Sequence, residues 1–532
     1  MNNGSTSGLR RFQLKASIAG FLLILFLYYI PVLNGIKDAF TGNGLVESLT
    51  GNRVVRHSLG FTVEQALIST IASLAIGFPG GIALITLSTR GSRLTRTLLL
   101  TAFMSPSMVV VMGFTSLYGD GGIISSRIPL FSALGQGYPG IIAAHVFYNA
   151  PLIAVMVYNS LASMPREHWD LILSTSKPSS KTLWRKIIVP YAKPGAITGA
   201  LLAFIYCFMS FAIPLNIGGP RYSTLEVDIY MYYKILQNPT VASAIALLQY
   251  TILLLVVAVM VKASATSPHA PLSTGITVRL PSRAASIAKI YLALLAAYLV
   301  APIIGALYYS VYNPITGHYT LSYYRHVLST VYDPRLGLAP IDTLFNSLYY
   351  AFMTVLLSLG IATIVSIGYT RINDILIVSL LAVSPITLGL GLLRTIPPWI
   401  PVWAAIVLAH TFAGMPLALR SIRIGLERVS RKYIEASISL GETFWGTLFR
   451  VAIPIARHSY LTAAALAAAI SLGEFSATLF LRTIKTTTLA VAIYQYRALR
   501  LFGEAYAASG ILILLTIIVV YIIARLEGVR SG

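Results

Sequence analysis

One carboxylate in the sequence occupies a position where ionisable groups are rare. The segment Ser471–Ser476 reads SLGEFS and places Glu474 and Phe475 inside a long apolar run. A charged group at membrane depth is costly, so it usually faces a water-filled path or a partner group. Two interpretations of Glu474 stay open. Either it lines a translocation path, or it lies near a lipid headgroup or pairs with a neighbouring helix.

Two histidines occur in matching contexts, His145 in AHVFYNAPL and His410 in AHTFAGMPL. Each lacks a Cys, an Asp or a second His at metal-ligand spacing, so we expect helix-packing histidines and no metal site. The sequence shows no nucleophile–base pair and no paired carboxylates of an enzyme site. It also lacks a G-x-x-x-x-G-K-[ST] phosphate loop. The pattern predicts neither an enzyme nor a chain that binds a cofactor or ATP itself.

Four further acidic residues fall in segments that we expect to be outer loops. Their positions indicate solvated surface. For Glu226 and Asp228, which follow the Gly218-Gly219-Pro220 turn, contact with an external docking partner is a weaker second interpretation. The four residues are Glu226, Asp228, Asp333 and Asp342.

A polar, partly basic stretch, Leu426–Pro454, lies between two long apolar runs. It predicts two short helices, the first capped by Ser430, with Gly441 allowing a sharp turn between them. Pro454 is expected to end the second helix, which presents an apolar stripe of Phe444, Trp445, Leu448 and Phe449. Such an element outside the bilayer is typical of a surface for another protein. The alternative is an amphipathic helix lying on lipid headgroups.

The composition is that of a polytopic membrane protein. Of 532 residues, 56% are hydrophobic and only 11% are charged, with a mean hydropathy of +0.77. A soluble protein of this size needs a more polar surface. The net charge of +22 indicates basic loops at an anionic membrane face and not a nucleic-acid partner. The lone cysteine, Cys207, excludes an intrachain disulfide and is expected to be buried.

The apolar runs predict twelve membrane spans. They cover residues 17–36, 63–88, 98–118, 139–162, 195–215, 241–261, 287–311, 343–369, 375–393, 401–419, 460–481 and 503–524. Most lysines and arginines then fall in alternate loops, which predicts a cytoplasmic N-terminus and a cytoplasmic C-terminus.

The chain contains an internal repeat. Ala144–Leu152 recurs at Ala409–Leu417 with an offset of 265, and TLEVDIY at Thr224–Tyr230 recurs as TLAVAIY at Thr488–Tyr494 with an offset of 264. A linker rich in Ser, Thr and Pro separates the copies. The predicted domains are a first six-span repeat at 1–262, a cytoplasmic linker at 263–286 and a second repeat at 287–532. Because six is even, both copies have the same orientation, related by a pseudo-twofold axis along the membrane normal.

The repeat predicts matching functional elements in the first half. Ser210 aligns with Glu474, so Ser210 and Phe211 join Glu474 and Phe475 as candidates for a translocation path. A degraded copy of the docking loop is also expected, with Asp170 at the position of Glu435 and Ser176 at that of Gly441. Its candidate contact residues are Asp170, Ser176, Lys177, Trp184, Arg185 and Pro190.

The second loop resembles the EAA loop of ABC-importer permeases, through Glu435-Ala436-Ser437, Gly441 and Ile453-Pro454. In that family the loop docks into a groove on the ATP-hydrolysing subunit. The candidate contacts of this loop are Glu435, Ala436, Ser437, Gly441, Phe444, Trp445, Phe449 and Pro454. The segment Ser210–Tyr230, the motif SLGEFSATL and the fused two-copy layout resemble permeases of the thiamine and ferric-ion import group.

The resemblance implies an all-α polytopic fold with two parallel six-helix repeats of the type I ABC-importer permease. It also implies two ABC ATPase subunits that carry ATP and Mg²⁺, an extracytoplasmic substrate-binding protein and a prokaryotic cell membrane. The expected function is import of a small solute by alternating access. Thiamine or ferric ion is favoured over sulfate, molybdate or a polyamine. The alternatives are a carrier driven by an ion gradient and, less favoured, a membrane-embedded enzyme.

Overall fold

A computed structural model describes residues 3–41, 47–87, 89–165, 184–265, 282–367 and 377–529. These residues are almost entirely helical. The α-helices are α1 (Asn3–Ile24), α2 (Ile30–Ile36), α3 (Arg53–Leu84), α4 (Thr89–Phe103), α5 (Ser107–Tyr118), α6 (Gly137–Ala162), α7 (Val189–Phe208), α8 (Leu225–Tyr230), α9 (Pro239–Ala265), α10 (Ser282–Val311), α11 (Ser322–Val327), α12 (Pro340–Ile367), α13 (Pro385–Thr395), α14 (Val402–Glu427), α15 (Arg431–Ser439), α16 (Phe444–Thr447), α17 (Ile453–Ile455), α18 (Arg457–Gly473), α19 (Ser476–Leu481), α20 (Leu489–Ala498) and α21 (Phe502–Val529).

Short π-helical and 3₁₀ turns and a small hairpin complete the described structure. The π-helical turns are Leu25–Tyr29, Glu47–Gly51, Trp184–Ile188, Pro214–Gly218, Met231–Ile235 and Leu448–Ala452, and the 3₁₀ turns are Lys37–Phe40, Pro129–Gly135, Leu380–Ala382 and Ile484–Thr486. The hairpin joins β1 (Tyr312–Asn313) to β2 (His318–Tyr319). These two strands pair antiparallel, with Tyr312 opposite Tyr319.

The expected all-α membrane architecture is confirmed. Among the described residues, nine helices are long and apolar enough to cross a membrane, and two bent helix pairs raise the number to eleven if each pair is one span. The bends are 97° between α4 and α5, and 81° between the segments Phe444–Ile455 and Arg457–Gly473. The predicted span at 375–393 begins outside the described residues. Its described part contains the short helix α13 after a 3₁₀ turn.

Besides the bend within the span expected at 98–118, two further predicted spans are broken beside the candidate path residues. The span expected at 195–215 has its helix α7 ending at Phe208, and the span expected at 460–481 is interrupted between α18 and α19. At the second break the Glu474 carboxylate accepts a hydrogen bond from the backbone amide of Ala477 at 2.9 Å. This side chain therefore pairs one of the free amides in the first turn of α19, where a carboxylate is favourable. Both breaks contain candidate path residues.

The first span of each repeat packs against the other repeat. Helix α2 lies against α13, and α10 lies against α5. Glycines allow both close approaches. A Cβ at Gly391 would overlap the carbonyl group of Pro31 in α2, and a Cβ at Gly113 would overlap the carbonyl group of Pro302 in α10. The two predicted halves are thus continuous in sequence but exchange their first spans in space. The predicted linker lies largely outside the described residues, between Ala265 and Ser282.

Three apolar cores follow from this exchange. One combines the first half with Leu292, Leu295 and Leu299 of α10. A second combines the second half with Ile24 and Val32 from the N-terminal span. The third core joins the two halves, and it contains the candidate path residues Phe211 and Phe475. The centre of the molecule is therefore an interface between the two copies.

Candidate coupling loops and translocation site

The second candidate coupling loop has the predicted helix–turn–helix form. Helices α15 and α16 are joined at Gly441, whose φ of +86° lies in the left-handed region that favours glycine. Ser430 is at the N-cap position of α15, as predicted, but its side chain makes no capping hydrogen bond. Thr443 caps α16 instead, accepting a hydrogen bond from the Gly446 amide at 3.1 Å. The turn residue was predicted correctly, whereas the capping interaction was not.

The loop presents an apolar surface to its surroundings. Trp445 is 53% exposed and Phe449 is 62% exposed, and their rings stack with centroids 6.2 Å apart. Glu435, Ala436 and Gly441 are exposed as well, while Phe444 is partly buried. Large exposed aromatic residues on a short polar element are typical of an interaction surface.

The end of this loop differs from the prediction. Pro454 is exposed but does not end the helix, because α17 continues to Ile455. Proline fits the first turn of α17, where the missing amide proton has no helical acceptor. The chain then turns by 81° into α18. The loop is thereby joined directly to the helix that leads to Glu474.

Part of the first candidate loop is described. The side chain of Trp184 packs against the apolar core of the first half, while Arg185 and Pro190 are exposed. The π-helical turn Trp184–Ile188 has a counterpart in Leu448–Ala452 of the second half. The candidates Asp170, Ser176 and Lys177 lie outside the described residues.

The four candidate path residues come together where the two halves meet. Phe211 and Phe475 stack with ring centroids 5.8 Å apart and ring planes at 27°. Each ring also contacts a tyrosine of its own half at 5.6 Å, Phe211 with Tyr230 and Phe475 with Tyr494. These pairs are equivalent in the repeat. They form an aromatic cluster, defined here as Phe211, Tyr230, Phe475 and Tyr494, at the interface of the two halves.

Each histidine bridges two hydroxyl groups beside a helix break, and His410 joins the two sides of its break. His145 contacts the hydroxyl groups of Ser69 at 3.0 Å and Ser210 at 2.8 Å. His410 contacts those of Ser471 and Thr478, each at 2.7 Å. Both ring nitrogens of each histidine are engaged, in keeping with the packing role predicted from the sequence. The described residues contain no group of three or more His, Cys, Asp or Glu that could hold a metal ion.

The prediction that Glu226, Asp228 and Asp333 are solvated surface residues is wrong. Glu226 is fully buried and Asp228 and Asp333 are each 4% exposed, whereas Asp342 is exposed as expected. Asp333 is held in its loop by Arg335, whose side chain donates at 3.0 Å. Glu226 lies on α8 and accepts a hydrogen bond from Gln249 at 2.6 Å. The segment of Glu226 and Asp228 is buried in the protein body, whereas Asp333 is covered within a loop whose neighbouring residues Val331 and Tyr332 are exposed.

The internal repeat carried a signal that identifies Glu226 and Asp228 as buried. The equivalent residues of TLAVAIY are Ala490 and Ala492, which are 1% and 0% exposed. Small apolar residues at these positions indicate a packed environment in both halves. The two carboxylates are therefore specific to the first half, because the second half has buried alanines at both equivalent positions.

The chain matches a family described as "Binding-protein-dependent transport system inner membrane component" at residues 58–266 and again at 341–527. It is 26% identical over 476 residues to the thiamine transport system permease protein of Haemophilus influenzae, covering 87% of each chain. It is likewise 26% identical over 506 residues to the protein of the same description from Escherichia coli, covering 89% of each. A spermidine/putrescine transport system permease protein of E. coli is 27% identical over 46% of this chain and 91% of its own length.

Proposed function

The chain belongs to the family of binding-protein-dependent transport system inner membrane components, and on that premise we propose that it is the permease of an ATP-driven thiamine importer. The observation that supports thiamine as the substrate is the extent of the similarity to a thiamine permease, which covers 87% of both chains. The ferric-ion, sulfate, molybdate and polyamine alternatives are outcomes of the transport assay below.

The proposed mechanism is alternating access at the aromatic cluster. Phe211 and Phe475 come from equivalent positions of the two halves and close the centre by stacking on each other. Separating the halves parts the two rings, so a relative motion of the repeats opens the path. The two helix breaks beside these rings supply backbone that can rearrange without unfolding a continuous helix. The structure thus supports a gate built from one residue of each copy.

The proposed partners are two ABC ATPase subunits, an extracytoplasmic substrate-binding protein and the lipid bilayer. The exposed Trp445 and Phe449 support docking of one ATPase at the second loop. The 81° bend after Ile455 joins this loop to α18, which ends next to Glu474. A push on the loop therefore moves the helix that carries half of the gate. ATP and Mg²⁺ are assigned to the ATPases, and this chain contributes no cofactor of its own.

The proposed location is the cell membrane of a prokaryote, with both termini in the cytoplasm. The supporting observation is the distribution of basic residues, such as the clusters at Arg10–Lys15 and Arg420–Lys432. These clusters flank predicted spans on the same side of the membrane. Labelling of single cysteines placed next to each terminus, in a Cys207→Ser background, tests this orientation.

Reconstitution separates an ATP-driven importer from a carrier driven by an ion gradient. The permease, its ATPases and the binding protein are placed in vesicles, and uptake of radiolabelled thiamine is measured with ATP on the ATPase side. We expect uptake that requires ATP and persists after a protonophore and a sodium ionophore are added. Uptake without ATPases, driven by a pH or sodium gradient, would contradict the proposal. Competition by ferric ion, sulfate, molybdate or spermidine tests the other substrates.

A further inference from the structure

Two buried carboxylates from different halves face the interface beside the aromatic cluster. Glu226 belongs to α8 of the first half and is fully buried, and Glu474 lies at the helix break of the second half and is 8% exposed. The two groups are close enough to interact electrostatically. Neither position has an acidic equivalent in the other repeat, since Glu226 aligns with Ala490 and Glu474 with Ser210. The pair therefore exists only where the two halves come together.

Each carboxylate has one oxygen that is hydrogen-bonded and one that is not. Oε1 of Glu226 accepts from Gln249 at 2.6 Å, and Oε1 of Glu474 accepts from the Ala477 amide at 2.9 Å. Oε2 of Glu474 is buried without a hydrogen-bond partner among the described residues. Oε2 of Glu226 also lacks a hydrogen bond of good geometry there, although the Ser384 hydroxyl and the Ile386 amide at the start of α13 lie close to this carboxylate. Buried carboxylates are normally paired because an unsatisfied charge in a low-dielectric interior is costly. Two such oxygens at one interface point to a positively charged partner from outside this chain.

Nearby basic side chains are not arranged to neutralise these groups. Arg482 lies near the hydroxyl groups of Tyr230 and Tyr494. Arg497 donates to the carbonyl oxygen of Asn216 at 2.9 Å. In the part of the chain that the structure describes, no ion pair joins Glu226 or Glu474 to a lysine or arginine. The carboxylates thus keep their capacity for an external cation.

The surrounding rings decide the class of cation. Phe475 follows Glu474 directly, and Tyr230 lies four residues after Glu226 on the same face of α8. Aromatic faces attract organic cations through their quadrupole, whereas they supply no ligand to a metal ion. A metal site built from oxygen ligands needs several donors, and the described residues contain no group of three or more His, Cys, Asp or Glu that could hold a metal ion. The combination of two carboxylates with four rings fits a planar organic cation.

We propose that Glu226, Glu474 and the aromatic cluster form a binding site for a planar organic cation at the interface of the two halves. The inference rests on the proposed function, since the ring of such a cation would lie between Phe211 and Phe475 when the gate opens. One oxygen of each carboxylate would then contact the positively charged group of the cation. Each half supplies one carboxylate, Glu226 from the first and Glu474 from the second. The cation can therefore be bound by both only while the two halves surround it.

Direct binding of thiamine to the complex of permease and ATPases, without the binding protein, tests the site. Equilibrium dialysis with radiolabelled thiamine is carried out in nanodiscs, with and without a non-hydrolysable ATP analogue. We expect Glu226→Gln and Glu474→Gln each to raise the Kd for thiamine about tenfold or more, because a charge-assisted contact is lost. This increase should be seen in whichever nucleotide condition gives binding to the unsubstituted protein. Glu474→Asp, which keeps the charge, should retain part of the affinity. Binding of the uncharged aminopyrimidine half of thiamine should not respond to these changes.

Glu64→Gln is the matched control, because Glu64 is exposed and accepts a hydrogen bond from the Tyr138 hydroxyl at 3.1 Å, away from the two buried carboxylates. An unchanged Kd in both buried variants would overturn the site, and so would ATP-driven uptake by a wild-type complex that binds no thiamine in either state. Co-elution with the ATPases shows that each variant is folded. If the complex binds thiamine through both carboxylates but shows no ATP-dependent uptake, the proposed site is supported and the proposed function is contradicted.

Discussion

The hydroxyl groups of Ser437 and Thr447 lie 3.0 Å apart and join the two helices of the second candidate coupling loop. Both residues are buried, although the loop around them is exposed. Helices α15 and α16 are too short to be stable in isolation, so their relative position depends on such contacts. This one hydrogen bond connects the segment bearing Glu435 to the segment bearing Trp445 and Phe449.

Replacing Ser437 with alanine should loosen this loop. The lost hydrogen bond leaves the Thr447 hydroxyl unpaired, and we expect a local destabilisation of about 1 kcal/mol. Hydrogen exchange of the amides in Arg431–Thr447 measures the effect, and binding of the ATPase should weaken in parallel. Ser439→Ala is the control, because Ser439 is exposed on the same helix. Equal exchange rates in the two variants would show that the contact does not hold the loop.

Gly441 should tolerate no side chain without strain. Its φ is +86° and no atom lies within 4 Å of a Cβ placed there, so the cost of Gly441→Ala comes from the backbone alone. We expect about 1–2 kcal/mol for alanine and less for asparagine, which enters this region more easily. Gly360→Ala is the comparison, since that glycine is helical and equally free of neighbours. Pull-down of the ATPase should decrease for Gly441→Ala and remain unchanged for Gly360→Ala.

His410 should be important for stability and not for metal binding. His410→Leu removes the partner of the Ser471 and Thr478 hydroxyl groups across the helix break, which we expect to cost about 1–3 kcal/mol. Thermal unfolding in nanodiscs measures the change, and a chelator should leave the wild-type transition unaltered. The exposed His318 supplies the control substitution, His318→Leu. A chelator-induced loss of stability would contradict the packing role.

The loop between α11 and α12 should lose stability in acid. Burial alone raises the pKa of Asp333, but its hydrogen bonds with Arg335 and His326 outweigh burial and hold the pKa below the usual value. The ionised group therefore stabilises the fold above the unfolded pKa of about 3.9, and this contribution is lost as the pH falls through the folded pKa. The Gly337 amide, which donates to the Asp333 carbonyl group at 2.8 Å, should exchange faster below about pH 4 than its intrinsic rate predicts.

Asp333→Asn should remove this pH dependence, because an amide does not titrate. Asp342→Asn should leave it in place, since Asp342 lies exposed at the start of the next helix. Protection of Gly337 that is constant down to pH 3 in the unsubstituted protein would show that the carboxylate does not stabilise the loop.

Local chemistry explains which parts of the candidate site could be predicted. Gly441 was identified because a residue without a Cβ favours the left-handed turn, and Glu474 because a carboxylate stands out in an apolar run. The burial of Glu226 was missed because its segment was interpreted as a loop from the preceding Gly218-Gly219-Pro220 turn. Whether a segment after a turn faces solvent depends on contacts with distant residues. In this case those contacts come from Gln249 and from the start of α13.

The sequence alone determined the membrane class, the two copies and the family resemblance, because hydropathy, repeats and motifs are properties of consecutive residues. Only the tertiary structure decided that the first spans are exchanged, that Phe211 stacks on Phe475, and that Glu226 approaches Glu474. The last two relationships join residues more than 240 positions apart. They depend on close helix approaches at Gly113 and Gly391, where the fit of one backbone against another, and not a local preference, selects the arrangement.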